Sequence, residues 1–225
     1  VQLLDGSSKN LIIAYTHEYI KNLNRELTKR FGKVPNNTVI MTFHSFVYRL
    51  LVRPYIVSIC REYHSKPIKI RGVSLKEPPP RRIKTKNGYR TNFNYCDVHN
   101  IRHYINSNNE CYCSLLSSLL IHMRSQASTK VIQSFSQFFN NIYVDEFQDF
   151  RNDDYTLLMK LCTFCPSVVM VGDYYQNSVS GMNNSGIPFK KRKEEVSYHQ
   201  FIEEMKKQKI EVDTQTLSSS YRCSI

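Results

Sequence analysis

Two carboxylates stand side by side at Asp145 and Glu146, directly after Ile142-Tyr143-Val144 and before Phe147-Gln148-Asp149. Adjacent acids at a strand end point to opposite sides of the chain and can do different work. One can hold a hard cation, and the other can take a proton from water. A solvated acidic turn after a core strand would also place two acids here. Gln148 and Asp149 weigh against that reading, because an amide and a further acid are unusual immediately after a buried strand. A second stretch repeats the build downstream. Ser167-Val168-Val169-Met170-Val171 runs into Gly172-Asp173-Tyr174-Tyr175-Gln176, where the glycine allows close backbone approach and Gln176 offers an amide.

Chemistry of this kind needs strands that end beside one another. A strand covered on both faces is apolar up to its C-terminal tip, and open α/β sheets bind their ligands at those tips. Four apolar, branched runs fit, at residues 11–15, 38–42, 142–144 and 167–171. Thr16 stands where a helix cap belongs, with Ile20, Leu23 and Leu27 at helical spacing behind it. Leu157, Leu158, Leu161 and Cys162 share a helical face, and a helix is expected over residues 197–208, with a short strand at 210–212. Residues 53–135 break the α/β rhythm. They contain Pro78-Pro79-Pro80-Arg81-Arg82 and a basic, loop-rich stretch from Lys84 to Arg90. Later in the stretch Tyr104, Ile105, Leu115, Leu116, Leu119, Leu120 and Ile121 indicate helical packing.

The 225 residues carry 31 Lys and Arg against 19 Asp and Glu, a formal charge of +12. An excess of this size favours a polyanionic partner, most simply nucleic acid; a basic protein without such a partner is the plainer alternative. No apolar run is long enough to cross a bilayer, and no signal-peptide pattern is present. The seven cysteines lack framework spacing, which suits a reducing, intracellular compartment rather than secretion. Cys162 and Cys165 form a lone CxxC, and Cys111 and Cys113 a lone CxC. With Cys96, His99 and His103 a zinc site is conceivable, but no second CxxC completes a usual set, and free or buried thiols are the simpler reading. The chain opens on Val1 rather than Met and reads as a piece of a longer protein.

Asp145-Glu146-Phe147-Gln148-Asp149 resembles motif II, the Walker B element, of superfamily 1 helicases of the UvrD/Rep type. Other stretches agree in order and spacing. Residues 14–27 resemble motif Ia, with Tyr15 at the family's Phe and Thr16 at its second Thr; Ala14, His17 and Glu18 depart from the pattern, and its Lys is missing. Thr42-Phe43-His44-Ser45-Phe46 resembles motif Ib. Gly172-Asp173-Tyr174-Tyr175-Gln176 resembles motif III, without the aromatic residue that the family places a few positions later, where Val179 to Met182 stand. Leu217 to Arg222 resembles motif IV, with Ser220 in place of Asn. Gly6-Ser7-Ser8-Lys9 is not a phosphate-binding loop, because a strand rather than a helix follows it and the spacing is too short. The resemblance puts the Walker A loop just before residue 1, so this piece alone is expected to be inactive.

The resemblance implies an α/β fold: a RecA-like P-loop NTPase domain with a parallel sheet and helices on both faces, plus an inserted, mainly helical subdomain. Residues 1–52 and 136–225 would form the motor domain and 53–135 the insertion. It implies an ATP-dependent DNA helicase moving 3′-to-5′ on single-stranded DNA, with ATP and Mg²⁺ as cofactors. Single-stranded and duplex DNA and the remaining helicase domains of the same chain would be its partners, with no membrane involved. Asp145 would hold Mg²⁺, and Glu146 would act on the attacking water. Gln148 and Gln176 would link phosphate state to DNA position, and Arg222 would reach the terminal phosphate. Gly172, Asp173 and Tyr221 would contact the nucleotide. Tyr15, Thr16, Thr42 and His44 would touch DNA at the motor domain. Read from its own residues, the basic loop could hold duplex or single-stranded DNA through Arg81, Arg82, Lys84 and Lys86, with Tyr89, Phe93 and Tyr95 available to stack; a solvated charged loop is the alternative. The rivals are a non-catalytic nucleic-acid-binding relative and a nuclease-associated P-loop ATPase.

Overall fold

The computed structural model describes residues 8–86, 88–176, 186–191 and 194–216. In chain order, β1 (Asn10–Ala14) leads to α1 (His17–Phe31) and then to β2 (Thr38–Thr42). A single turn, α2 (Phe43–Phe46), continues through a π-helical turn at Val47–Val52 and a 3₁₀ turn at Arg53–Tyr55 into α3 (Ile56–Glu62). The stretch expected as an insertion then carries β3 (Gly72–Ser74), β4 (Arg82–Thr85), β5 (Gly88–Thr91), β6 (Glu110–Tyr112), α4 (Leu116–Ile121) and α5 (Ser125–Ser136). The chain returns through β7 (Asn141–Val144), α6 (Asn152–Phe164) and β8 (Ser167–Met170). A two-residue pair, β9 (Lys190–Lys191) and β10 (Glu194–Glu195), precedes α7 (Tyr198–Lys207).

Four strands form one parallel sheet in the order β2-β1-β7-β8. β1 is buried along its whole length. Successive side chains of a strand point to opposite faces, so both faces of β1 are covered, as its unbroken apolar run demands. Asn10 is the one polar member, and its amide is satisfied by the Ser8 carbonyl at 3.0 Å and by Asn141 Nδ2 at 3.0 Å. The register aligns the C-terminal ends: Ala14 lies opposite Thr42, Ile13 opposite Val144, and Val144 opposite Met170. All four strands therefore stop at the same edge of the sheet.

The helices begin where local chemistry tells them to. Thr16 accepts the Tyr19 N–H at 3.2 Å to start α1, and Gly32 ends it in the left-handed region that favours glycine. Ser197 and Gln200 close a reciprocal capping box on α7. Between β2 and β7 the chain packs α4 and α5 on the core through Leu116, Leu119, Leu120, Val131, Ile132 and Phe135. The same stretch also holds two small ribbons, a parallel β3–β6 pair and an antiparallel β4–β5 hairpin. The hairpin stands where the sequence reads as a basic loop. Residues 210–212, expected as a strand, make no ladder with any described strand. No described helix is long and apolar enough to cross a membrane.

Candidate active site

Because the four strand tips share one edge, the residues that follow them meet there. Asp145 continues the sheet, donating its N–H to the Ile13 carbonyl at 3.1 Å. Glu146 then turns the chain with φ 53°, in the left-handed region, where a residue with a Cβ is strained by about 1–2 kcal/mol. Phe147 rejoins the ladder, its N–H bonded to the Val171 carbonyl at 2.9 Å. The strained residue thus sits between two neighbours whose N–H groups stay bonded to the adjacent strands.

Gln148 is the centre of the arrangement. Its side chain is 3% exposed. Its Nε2 donates to Glu146 Oε2, and its Oε1 accepts the Asp173 N–H at 3.0 Å. Asp173 in turn accepts the Tyr175 N–H at 2.9 Å on Oδ1 and Gln176 Nε2 at 2.8 Å on Oδ2. Glu146, Gln148, Asp173 and Gln176 thus form one hydrogen-bonded line across the tips of β7 and β8. Gly172 is required by the same contact. A Cβ there would lie 2.6 Å from Gln148 Oε1 and 3.1 Å from the Phe147 backbone nitrogen.

Asp149 lies behind the line. Burial pushes its carboxyl above the usual range, the Glu146 charge adds to the effect, and Arg151 opposes it. Arg151 is itself drawn below its ordinary value by burial. It donates to the Phe150 carbonyl at 2.9 Å and to the Gln148 carbonyl, and its guanidinium sits 4.1 Å from the Phe189 ring centroid.

Tyr15 is half-buried, edge-on to Phe150 at 5.7 Å and to His44 at 6.3 Å. Burial, with Asp154 and Asp149 nearby, raises its phenol. The residues after β1, β2 and β7 therefore form one aromatic contact. Thr16 is exposed. Thr42 is buried, and its hydroxyl caps α2, accepting the Ser45 N–H at 3.3 Å and donating to Ser45 Oγ at 2.9 Å. Arg81, Arg82, Lys84 and Lys86 are exposed on the β4–β5 hairpin and its flanks, not at the edge of the four-stranded sheet. Tyr221 and Arg222, together with residues 179–182, lie outside the described residues.

The span 65–179, just over half of the chain, matches the family model of the UvrD/REP helicase N-terminal domain. The chain belongs to the UvrD/REP helicase family. The matched span holds residues 65–135 of the stretch expected as the insertion, Asp145 to Asp149 and Gly172 to Gln176; Tyr15, Thr16, Thr42 and His44 precede it. No curated protein matches the chain. The parallel four-stranded sheet flanked by helices is the RecA-like arrangement expected of a UvrD-like N-terminal domain.

Some residues escaped the sequence reading. Tyr198, at the start of α7, stacks on Tyr175 at 5.8 Å and 23°, and Tyr175 is 75% exposed. The capping signal at Ser197 places α7, but nothing in the sequence pairs its first residue with one 23 positions earlier. Tyr174 faces the other way, its hydroxyl donating to the Val196 carbonyl and its ring against Phe189 and Phe201. Among the described residues no group of three or more His, Cys, Asp or Glu side chains converges as a metal cage requires.

Proposed function

We propose that this chain is the greater part of the first motor domain of an enzyme that couples ATP hydrolysis to 3′-to-5′ movement on single-stranded DNA and to duplex unwinding. The hydrogen-bonded line from Glu146 through Gln148 to Asp173 and Gln176 carries the reading. It joins a carboxylate suited to proton transfer to an amide suited to sensing a phosphate, through three successive hydrogen bonds.

Asp145 would hold Mg²⁺. The ion characteristically takes one or two carboxylates and completes its shell with phosphate oxygens and water, and a single aspartate at a strand tip suits that habit. Held there, Mg²⁺ would supply neutralisation of the nucleotide's phosphate charge. Glu146 orients the attacking water and accepts its proton on the carboxylate oxygen that Gln148 leaves free. Gly172 and Asp173 line the same cleft, with Gln176 held by the Asp173 carboxylate. Tyr221 would pack on the adenine, and Arg222 would reach the terminal phosphate.

The outer edge of β8 has no strand partner among the described residues. A cleft of about 730 Å³ beside it is lined by Met170, Ile202, Met205 and Val212 as well as by Asp145 and Glu146. A further parallel strand carrying a phosphate-binding loop would fit there, with its tip beside the two acids. Tyr15, Thr16 and His44 supply a ring, a hydroxyl and an imidazole at the neighbouring tips for a DNA strand, and Thr42 fixes the turn that presents His44.

The test is Glu146→Gln in the complete protein. ATP and DNA binding should persist while DNA-stimulated turnover falls by about two to four powers of ten. Near-normal turnover would remove Glu146 from the chemistry.

A further inference from the structure

The hairpin β4–β5 has two unlike faces. Its register pairs Arg82 with Thr91, Ile83 with Arg90, Lys84 with Tyr89 and Thr85 with Gly88. Alternation along each strand puts Arg82, Lys84, Tyr89 and Thr91 on one face and Ile83, Thr85 and Arg90 on the other. Every residue of the first face is exposed; on the second, Arg90 is exposed as well, but Ile83 and Thr85 are half-buried. The first face is therefore the outer one.

Its chemistry is one-sided. Residues 78–96 hold five cations, Arg81, Arg82, Lys84, Lys86 and Arg90, and no Asp or Glu. Among the described residues no carboxylate forms an ion pair with any of them. Two large rings stand in the same solvent-facing stretch, Tyr89 at 71% and Phe93 at 88% exposure. Neither contributes to the core. The Arg90 guanidinium, on the other face, lies 5.9 Å from the Phe93 centroid, so that cation already has a ring of its own, whereas Arg82, Lys84 and Tyr89 stand together on the outer face. The turn is fixed by Gly88 at φ 113° and by Thr85 Oγ1 donating to the Gly88 carbonyl at 2.9 Å. One more bond, Asn92 N–H to the Arg81 carbonyl at 3.0 Å, extends the ribbon.

We propose that the outer face of this ribbon, Arg82, Lys84 and Tyr89, binds single-stranded nucleic acid, with the cations on its phosphates and the Tyr89 ring stacked on an unpaired base. Unneutralised cations select a polyanion. The exposed ring selects among polyanions. A duplex hides the faces of its bases in the stack, whereas a single strand offers a face at every nucleotide, and a ring flanked by cations is what such a strand recognises. The site rests on the reading of the chain as part of a DNA motor, and it gives that motor a second grip on the strand, in the insertion, apart from the strand tips of the sheet.

The test uses the complete protein and a fluorescent twenty-nucleotide oligo-dT, with a blunt duplex of equal length as comparison, read by anisotropy across a salt series. Tyr89→Phe should bind within about twofold of the parent. Tyr89→Ala should bind the oligo-dT about tenfold or more weakly, the stacking loss on one base, and the duplex unchanged. Lys84→Glu and Arg90→Glu change charge equally on opposite faces, and Lys84→Glu should weaken oligo-dT binding more. Arg82→Glu with Lys84→Glu should flatten the salt slope by about 1.4, two single-strand phosphate contacts. Melting curves of all variants should overlay, since each side chain is exposed. Unchanged oligo-dT affinity in Tyr89→Ala overturns the proposal, as does a loss confined to the duplex, which would make the face a duplex-backbone contact. If the parent shows DNA-stimulated ATP turnover while the Tyr89 and Lys84 variants bind oligo-dT normally, the ribbon site alone fails. If the parent neither binds oligo-dT nor hydrolyses ATP, the motor reading fails with it.

Discussion

Replacing Gln148 with Met keeps the side chain's length and removes both of its hydrogen bonds. The amide is buried and spans two elements, donating to the Glu146 carboxylate and accepting the Asp173 N–H at 3.0 Å. A bond to a charged group contributes about 1.5–3 kcal/mol and a neutral one about 0.5–1.5 kcal/mol. Glu146 and Asp173 can both recover some hydration, so the loss should fall in the lower half of the sum, about 2–3 kcal/mol. In a domain of this size each kcal/mol lowers the melting temperature by roughly 2–4 °C, giving a fall of about 4–12 °C. Gln148→Glu should melt lower still, because it sets a second carboxylate at hydrogen-bonding distance from Glu146. Calorimetry on the two variants checks the ranking. A Met variant melting within about 1 °C of the parent would show that the amide bears no structural load. Turnover gives an independent check. If Gln148 acts by holding Glu146, then Gln148→Met should add almost nothing to the loss already caused by Glu146→Gln. Multiplying losses would mean that the amide acts elsewhere.

Gly172→Ala should destabilise by about 1–3 kcal/mol, since its Cβ meets the Phe147 backbone as well as the Gln148 amide; an unchanged urea midpoint would show that the turn gives way freely. Tyr15→Phe should melt and bind DNA as the parent does. Tyr15→Ala should melt lower, for loss of its edges on Phe150 and His44, and should bind single-stranded DNA about one to two powers of ten more weakly; normal affinity in the folded fraction would make Tyr15 a packing residue only. Burial pushes the thiols of Cys111 and Cys165 up to about 12 and that of Cys162 to about 11. The thiolate is the reactive form, so at pH 8 these three should alkylate slowly, faster as pH rises and fastest after unfolding. Labelling in the folded protein at the rate of the unfolded chain would contradict their burial.

The strands were legible because their runs are apolar on both faces, and that pattern has few other uses. Asp145 and Glu146 could be placed at a strand tip because the apolar run stops at them, and Gln148 and Asp149 set them apart from an ordinary acidic turn. The connection through Gln148 was not, since it depends on a backbone N–H 25 positions away that only strand pairing brings near. The hairpin hid for the opposite reason: short, charged and open to solvent, it has no alternation of apolar residues to betray it. The expected strand at 210–212 carries the right composition, but a strand exists only with a partner, and none of the described strands reaches it. Thr42 is expected to touch DNA, and its buried hydroxyl also starts a helix; a threonine after a strand looks the same in sequence in either role.

The left-handed backbone at Glu146 sets stability against purpose. Glycine or asparagine would occupy that conformation with less strain, and a chain selected for firmness alone would drift toward them. Glutamate there is uphill, held by ladder bonds on either side and by one amide. Proteins store strain of this kind where the displaced side chain has work to do. Variants recovered from a screen for heat resistance should therefore gather at this position and arrive without the carboxylate, robust and idle.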